Sequence, residues 1–451
     1  MDLIKEVLNN VVPSEQNRTK IARIIEDIKA KLNTEIKKLG LDANVILVGS
    51  VAKDTYINNT DIDFFVRFSK EYEEPQLKKH ISQIGAAIFK NYELKYAQHP
   101  YVSGKIEGMD VELVPCYKIE DPAQKISTVD RTPFHTEFII NNLKEPQKNE
   151  VRLLKAFLKG IGVYGAEAKI EGFSGYLTEL LILKYGTFMN LIKESASWGE
   201  YTVLEFGQET GEQYKKDLIL KFCSPLIYLD PVDKNRNVAA AVSRNNYSLF
   251  KFASLEYLKT PTLAFFFKRE RIMSLKDIKE KIDARGSKIF ILKMTKPEVV
   301  DDILYPQIYR VEKIIKSNLK EFEIINVFHS VTDKDIFIVI ESSFEKVPRI
   351  IKHQGPPLWS RNIDSFIEKW KGNKNVLMGP YIKDDRLYVD LKNHRYLFAD
   401  KLKYELNQLN IGKNLDFLKE KAEILDFKDG MEMVPISDLY FMFDYHFPWD
   451  N

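Results

Sequence analysis

Gly49-Ser50-Val51-Ala52-Lys53 and, with ten residues intervening after the serine, Asp61-Ile62-Asp63-Phe64-Phe65-Val66 form the stretch from which the rest of the chain is read. A β-strand sends alternate side chains to one face, so Asp61 and Asp63 project together while Ile62 points away. Two like charges held that close repel, and a divalent cation between them relieves the repulsion; hard carboxylate oxygens are ligands that suit Mg²⁺. The glycine-serine turn, at the start of a helix, offers backbone N–H groups to phosphate oxygens. Residues 43–48 are an apolar strand running into Gly49, and Met109-Asp110-Val111-Glu112-Leu113-Val114 is a later strand that also carries acids.

An Asp-x-Asp taken alone is most often part of a solvated strand or turn. Strand, glycine-serine turn, Asp-x-Asp strand and a later acidic strand, in that order, form a much rarer conjunction. Metal carboxylates beside a phosphate cradle point to nucleotidyl transfer.

A chain of 451 residues divides into about two to four domains, each able to bury a core. Its 44% hydrophobic and 29% charged content is that of a soluble globular protein rather than a disordered one. Lys plus Arg (67) barely exceed Asp plus Glu (65), so an RNA-binding face must come from segregated charge. The two cysteines, Cys116 and Cys223, lie far apart without metal-ligand spacing, and are expected to be buried thiols rather than a disulfide or a zinc site. Met1-Asp2-Leu3-Ile4-Lys5 lacks a basic-then-apolar signal pattern and no apolar run is long enough to span a bilayer, so a cytoplasmic location without membrane contact is expected.

Pro13-Ser14 reads as a helix start, and Ile21, Ile24, Ile25, Ile28, Leu32, Ile36 and Leu39 recur at three and four until Gly40. That stripe is expected to pack on the sheet. Leu77, Ile81, Ile84, Ile88 and Phe89 mark another helix, and the third acidic strand is read as ending at Pro115. Residues 1 to about 140 are thus an α/β unit. From Asn149 the pattern turns helical, with Val151, Leu153, Leu154, Phe157 and Leu158 on one face and a further helix from near Ser174. Beyond about Pro261 helices alternate with strands at 288–292, 323–328, 335–340 and 386–390, which implies helices laid on an antiparallel sheet. Three domains are expected: 1–145, 146–260 and 261–451.

Asp110 and Glu112 share a strand face, so period-two geometry leaves open which of them completes a metal site. Two ions bridged by three carboxylates would neutralise a triphosphate, activate the attacking hydroxyl and stabilise the leaving pyrophosphate. Asp130-Arg131-Thr132-Pro133-Phe134-His135 reads as a polar loop, and Lys155 lies on the helix leading to Val163-Tyr164-Gly165-Ala166-Glu167. A lone helix lysine is usually a solvated surface charge and a lone histidine is more often structural than catalytic. Asp230-Pro231-Val232-Asp233-Lys234-Asn235-Arg236-Asn237 reads as a turn entering a helix, with an unpaired Arg236 that is either a surface charge or a donor able to hydrogen-bond a base edge and a phosphate together.

Gly-Ser, ten residues, Asp-x-Asp and a later acidic strand resemble the polymerase-beta nucleotidyltransferase superfamily. Around them, His99-Pro100-Tyr101-Val102, Val114-Pro115-Cys116-Tyr117, residues 130–135, 163–167, Gly172-Phe173-Ser174-Gly175-Tyr176-Leu177, residues 230–239 and Val300-Asp301-Asp302-Ile303-Leu304-Tyr305-Pro306-Gln307 are similar to the archaeal, class I CCA-adding enzymes. The resemblance implies an α+β multidomain fold: a polymerase-beta-type catalytic head, a helical nucleotide-selecting neck and a C-terminal α+β, ferredoxin or RRM-like, body and tail. It implies template-independent addition and repair of the tRNA 3′-terminal CCA from CTP and ATP, with two Mg²⁺ ions. Carried over by residue, it implies Asp61, Asp63 and Glu112 as catalytic metal ligands. Ser50 and Lys53 would hold the triphosphate, His135, Lys155 and Tyr164 would complete the nucleotide pocket, and Arg236 would help select C and A. The sequence departs from commoner forms at Lys53, where arginine is frequent, and at Glu112, where aspartate is frequent. Lysine keeps the charge without the bidentate fork, and glutamate reaches one methylene further.

The expected partner is the acceptor stem and 3′ end of tRNA, gripped through phosphate and shape contacts. An apolar C-terminal surface would suit a homodimer. The same chemistry with another acceptor would make a poly(A) polymerase or an oligoadenylate or cyclic-dinucleotide synthase. From a different class, the fold could serve a catalytically silent RNA-binding protein, which the intact carboxylates argue against.

Overall fold

A computed structural model of the chain describes residues 3–58, 60–96, 100–207, 211–268, 274–347, 350–392, 397–443 and 446–450; His99 of the motif blocks lies outside them. The chain divides into two compact units, Met1–Glu270 with Val300–Asp302 and His446–Asn451, and Arg271–Val299 with Ile303–Tyr445.

The first unit opens with α1 (Leu3–Val11) and α2 (Glu15–Lys38), the latter begun by the Ser14 hydroxyl accepting from Asn17 N–H. Then come β1 (Ala43–Val48), a single helical turn α3 (Gly49–Ala52), β2 (Ile62–Phe68), α4 (Glu74–Ile88), β3 (Tyr92–Tyr96), β4 (Pro100–Ile106) and β5 (Met109–Tyr117). The strands form one sheet in the order β1-β2-β5-β4-β3, with β2 and β5 parallel and the other pairs antiparallel. Alternation then sorts the side chains. Ile62, Phe64, Val66 and Phe68 of β2 and Val111 and Leu113 of β5 are buried with the apolar stripe of α2 (Ile21, Ile24, Ile28, Leu32 and Ile36) and with Leu77, Ile81 and Ile84 of α4. Asp63, Asp110 and Glu112 belong to the opposite face. β5 continues through Pro115 to Tyr117, two residues beyond the expected end, because β2 pairs with it as far as Phe68.

Residues 130–135, expected as a loop, are helical. Ser127 and Asp130 form a capping box on a 3₁₀ turn, Thr128–Arg131, which runs into α5 (Thr132–Asn142) with Pro133 in its first turn. α6 (Glu145–Gly160), α7 (Gly175–Tyr185, capped by Ser174), α8 (Phe188–Ala196), β6 (Thr202–Leu204), α9 (Glu212–Phe222), β7 (Leu226–Tyr228) and α10 (Arg244–Lys259) follow. Leu153, Leu154, Phe157, Leu177, Leu181, Phe188 and Phe250 build a helical core, which Val7 and Val11 of α1 also enter. Cys116 is buried as expected, whereas Cys223 is exposed: it closes α9 in a left-handed conformation with φ of 48°. Residues 230–237 close on themselves instead of entering a helix. Leu229 bridges Asn237, Asp230 N–H donates to Arg236 C=O, and the Asn237 side chain ties Tyr228 N–H and Ala239 N–H to one oxygen.

In the second unit α11 (Leu275–Arg285) and α12 (Asp301–Asn318) flank β8 (Lys288–Thr295), β9 (Ile324–Val331) and β10 (Asp335–Ser342). With a late strand at Glu423–Asp426 these make an antiparallel four-stranded sheet. Ile336, Ile338 and Ile340 pack toward α12, while Phe337 and Val339 pack with Ile278 and Ile282 of α11. The proline-, glycine- and tryptophan-containing segment 346–383 resolves into β11 (Ile350–Pro357), α13 (Ile363–Trp370) and β12 (Val376–Lys383), which with β13 (Arg386–Lys392) form a three-stranded sheet. Among the described residues no helix is long and apolar enough to cross a membrane.

Candidate active site

Asp63 stands in register with Val48 of β1 on one side and Glu112 of β5 on the other. Asp61 lies just ahead of β2. All three carboxyl groups hold their protons more tightly than usual. Burial and then the Asp61 charge push Asp63 up to about 6, with Lys53 opposing. Burial followed by Asp63 and Asp61 pushes Glu112 up to about 7. Asp61 is raised by burial and by Asp110. The neighbouring acid on β5 is differently placed: Asp110 is in register with Lys105 of β4, whose Nζ is 3.6 Å from Asp110 Oδ1 at the exposed sheet surface. Glu112, rather than Asp110, is therefore the direct neighbour of Asp63.

Gly49 sets α3 against this pair. Its φ is +72°, and a Cβ there would lie 2.1 Å from Asp63 Oδ2, so the turn needs glycine for both its conformation and the close approach of the carboxylate. Among the described residues no three acidic, imidazole or thiol groups already gather closely enough to form an ion cage. The donor set nonetheless fits Mg²⁺, which takes one or two carboxylates together with substrate phosphate oxygens rather than a complete protein cage.

Behind the turn, α6 and α7 hold residues 53–56 by buried polar contacts. Lys53 Nζ donates to Glu179 Oε2 (2.5 Å) and Thr55 Oγ1 to Glu179 Oε1 (2.6 Å), with Glu179 fully buried. Lys155 is buried rather than on a solvated face; its Nζ donates to Thr55 C=O at 2.9 Å. Burial brings Lys155 down to about 8, with Glu179 opposing. Arg152, one turn earlier, donates to Tyr56 C=O and to Asp54 C=O and Oδ1. Ser50 Oγ lies 3.1 Å from Thr60 Oγ1 near the front of the turn. Lys159 follows Lys155 at i+4; burial depresses it and the Asp61 charge opposes that shift. Tyr164 has the Lys159 ammonium 5.3 Å from its ring centre, and burial raises its hydroxyl pKa.

His135, Tyr176 and Arg236 converge on Asp230, a fully buried carboxylate. Oδ2 lies 2.9 Å from both His135 Nε2 and Arg236 Nη1; Oδ1 accepts from Val232 N–H at 2.9 Å and from Tyr176 O–H at 3.2 Å. Burial alone would raise Asp230, but the His135 hydrogen bond and charge, with Val232 and Arg236, bring it to about 2. An ionised carboxylate only accepts, so His135 Nε2 carries the proton. Burial lowers the His135 pKa against the pull of Asp230. The His135 and Tyr176 rings stack at 4.1 Å. Arg236, read from sequence as unpaired, is ion-paired.

The structure thus sets Asp63 and Glu112 side by side with the Asp61 charge acting on both, Lys53 and Lys155 behind the turn that carries Ser50, and His135 and Arg236 on one carboxylate. Glu179, Lys159, Tyr176 and Asp230 had no place in the sequence-derived site. Tyr176 and Asp230 stood inside stretches singled out in the sequence, and Lys159 left a local signal in its i+4 spacing from Lys155.

Three family models match the chain: a nucleotidyltransferase domain over residues 29–135, the second domain of tRNA nucleotidyltransferase over 149–267, and the C-terminal domain of CCA-adding enzyme over 285–426. The chain is 38% identical to the CCA-adding enzyme of Thermoplasma acidophilum over 97% of both chains. It is 37% identical to that of Picrophilus torridus over 94% of this chain and 96% of the relative. With the CCA-adding enzyme of Methanocaldococcus jannaschii it shares 38% identity, over 82% of this chain and 84% of the relative.

Proposed function

The chain belongs to the archaeal CCA-adding enzymes, tRNA nucleotidyltransferases that complete the 3′ end of tRNA, and from that premise we propose how its residues divide the work. The enzyme adds CCA to tRNA, using nucleotide substrates and a divalent metal. We assign CTP and ATP as the substrates and two Mg²⁺ ions as the metal, with Asp61, Asp63 and Glu112 as ligands. When bound, such ions supply the positive charge that favours deprotonation of the tRNA 3′ hydroxyl and departure of pyrophosphate.

The Asp61 charge disfavours ionisation of Asp63, and both disfavour that of Glu112; a cation turns that repulsion into attraction. Ser50 and the N–H groups of its turn receive the triphosphate. Lys53 and Lys155 lie behind them with Glu179 as their buried acid, a surplus of one positive charge beneath a polyanion. His135 and Tyr164 border the nucleotide, and Arg236 presents its fork to the base. Transfer of this kind rests on positioning and electrostatics, so no covalent enzyme intermediate is required.

Residues 1–145 serve as catalytic head, 146–260 as nucleotide-selecting neck and 261–451 as the body and tail that hold the acceptor stem through phosphate and shape contacts, in the cytoplasm. The observation that supports this reading most strongly is the in-register Asp63 and Glu112 pair beneath Gly49. Its test is extension of a tRNA lacking CCA with CTP, ATP and Mg²⁺. Addition of C, C and A and then arrest is expected; a long tail from ATP alone, with no extension from CTP, would assign the chain to the poly(A) polymerases instead.

A further inference from the structure

We propose that Asp230 is a specificity-positioning residue, whose saturated carboxylate fixes the Arg236 guanidinium in the one orientation from which it tells C and A from U and G. The inference rests on the reading of Arg236 as the base-selecting residue.

An arginine side chain has many rotamers, and one that is one-third exposed, as Arg236 is, has no intrinsic reason to hold a single one. Base discrimination requires the opposite, because a fork that moves can satisfy several base edges. Asp230 supplies the constraint. It is fully buried and each of its oxygens already takes two donors: His135 Nε2 and Arg236 Nη1 on Oδ2, Val232 N–H and Tyr176 O–H on Oδ1. The carboxylate therefore cannot swing without breaking bonds to α5, to α7 and to its own loop. Arg236 is engaged through Nη1, which leaves Nε and Nη2 as the edge able to meet a base.

The loop is fixed from both ends. Asp230 N–H donates to Arg236 C=O, Arg236 N–H donates to Asp233 C=O, and Asp233 Oδ2 accepts from Arg131 Nη1 at 2.9 Å and from Lys125 Nζ at 2.5 Å. His135, at the nucleotide border, shares an oxygen with Arg236. Nucleotide border and selecting arginine are thereby referred to one atom.

Asparagine cannot replace this carboxylate, since in either orientation its NH₂ would face a group that can only donate, Arg236 Nη1 or Val232 N–H. The test measures kcat/KM for CTP, ATP and UTP with wild type, Asp230→Asn, Arg236→Ala and the double variant. For Asp230→Asn, CTP and ATP are expected to fall roughly tenfold to a hundredfold while UTP changes less than about threefold, so discrimination collapses. Arg236→Ala alone should collapse it too, and adding Asp230→Asn to Arg236→Ala should change it by less than about twofold.

A proportional fall for all three nucleotides in Asp230→Asn, or a further loss of discrimination in the double variant, overturns the inference. Intact discrimination in Arg236→Ala overturns the reading of Arg236 itself. Where Asp230→Asn does not fold, Asp230→Glu, which displaces the charge by one methylene, is measured in the same way, with the same loss of discrimination expected and retained discrimination contradicting it.

Discussion

Asp63 on β2 and Glu112 on β5 are direct cross-strand neighbours in a parallel pair; burial and the Asp61 charge raise the affinity of Asp63 for a proton or its stand-in, a cation, and burial with the Asp63 and Asp61 charges does the same for Glu112. A folded protein tolerates such a pair at neutral pH at a cost in stability. That cost is the signature of a site arranged for a charge it does not itself supply.

The sign of the pH dependence follows. Both acids bind protons more tightly in the folded chain, with values of about 6 and about 7 against about 4 unfolded. The folded state therefore carries more protons in that window, and stability falls as pH rises through it. Without metal, Asp63→Asn should melt higher than wild type at pH 8, by an amount corresponding to about 1–3 kcal/mol, with no gain at pH 4. Calorimetry in chelator checks this, and equal melting at pH 8 would count against it.

Protons and metal compete for the same oxygens. At low Mg²⁺ the rate of nucleotide addition should rise between pH 6 and pH 8, and raising Mg²⁺ should move the midpoint to lower pH. Asp63→Ala should abolish transfer while tRNA binding, read by filter retention, stays within about twofold of wild type. Lost binding would make Asp63 a structural carboxylate instead.

Lys53 and Glu179 form a nearly solvent-free pair. Removing one partner strands the other, so Glu179→Gln should cost about 3–5 kcal/mol. Exchanging both for apolar residues, Lys53→Met with Glu179→Leu, should cost less than the single change. Denaturant unfolding of Glu179→Gln, of the single variants Lys53→Met and Glu179→Leu, and of the double variant decides it, and additive losses of the two singles would show that the two residues act independently.

Gly49→Ala forces a Cβ into the space occupied by Asp63 Oδ2 at a positive φ. Destabilisation of about 1–3 kcal/mol is expected, together with loss of transfer. A variant with wild-type melting and activity would show that the turn shifts freely.

The placing of Asp63, Asp110 and Glu112 away from the apolar strand faces was legible because it depends on a period of two within single strands, and the α2 stripe because it depends on a period near four. The Asp110 or Glu112 ambiguity was not resolvable within β5, since both share its face; the pairing of Lys105 with Asp110 and of Asp63 with Glu112 separates them. Partnerships across many residues left no local trace. Lys53 meets Glu179 over 126 positions and His135 meets Asp230 over 95. The loop 230–237 resembled a helix entry because the bonds that close it run from the Asn237 and Asp230 side chains to backbone outside any periodic pattern. Residues 130–135 looked like a loop because their polar side chains serve as caps: Asp130 accepts from Tyr117, Ile126 and Ser127 N–H groups.

The most direct measurement sets Glu112→Ala against Asp110→Ala in single-turnover extension of a tRNA lacking CCA, with saturating CTP, ATP and Mg²⁺. Glu112→Ala is expected to lose at least about a thousandfold in rate, as removal of a metal ligand does, while Asp110→Ala stays within about fivefold of wild type. An active Glu112→Ala beside an inactive Asp110→Ala would contradict the proposed triad.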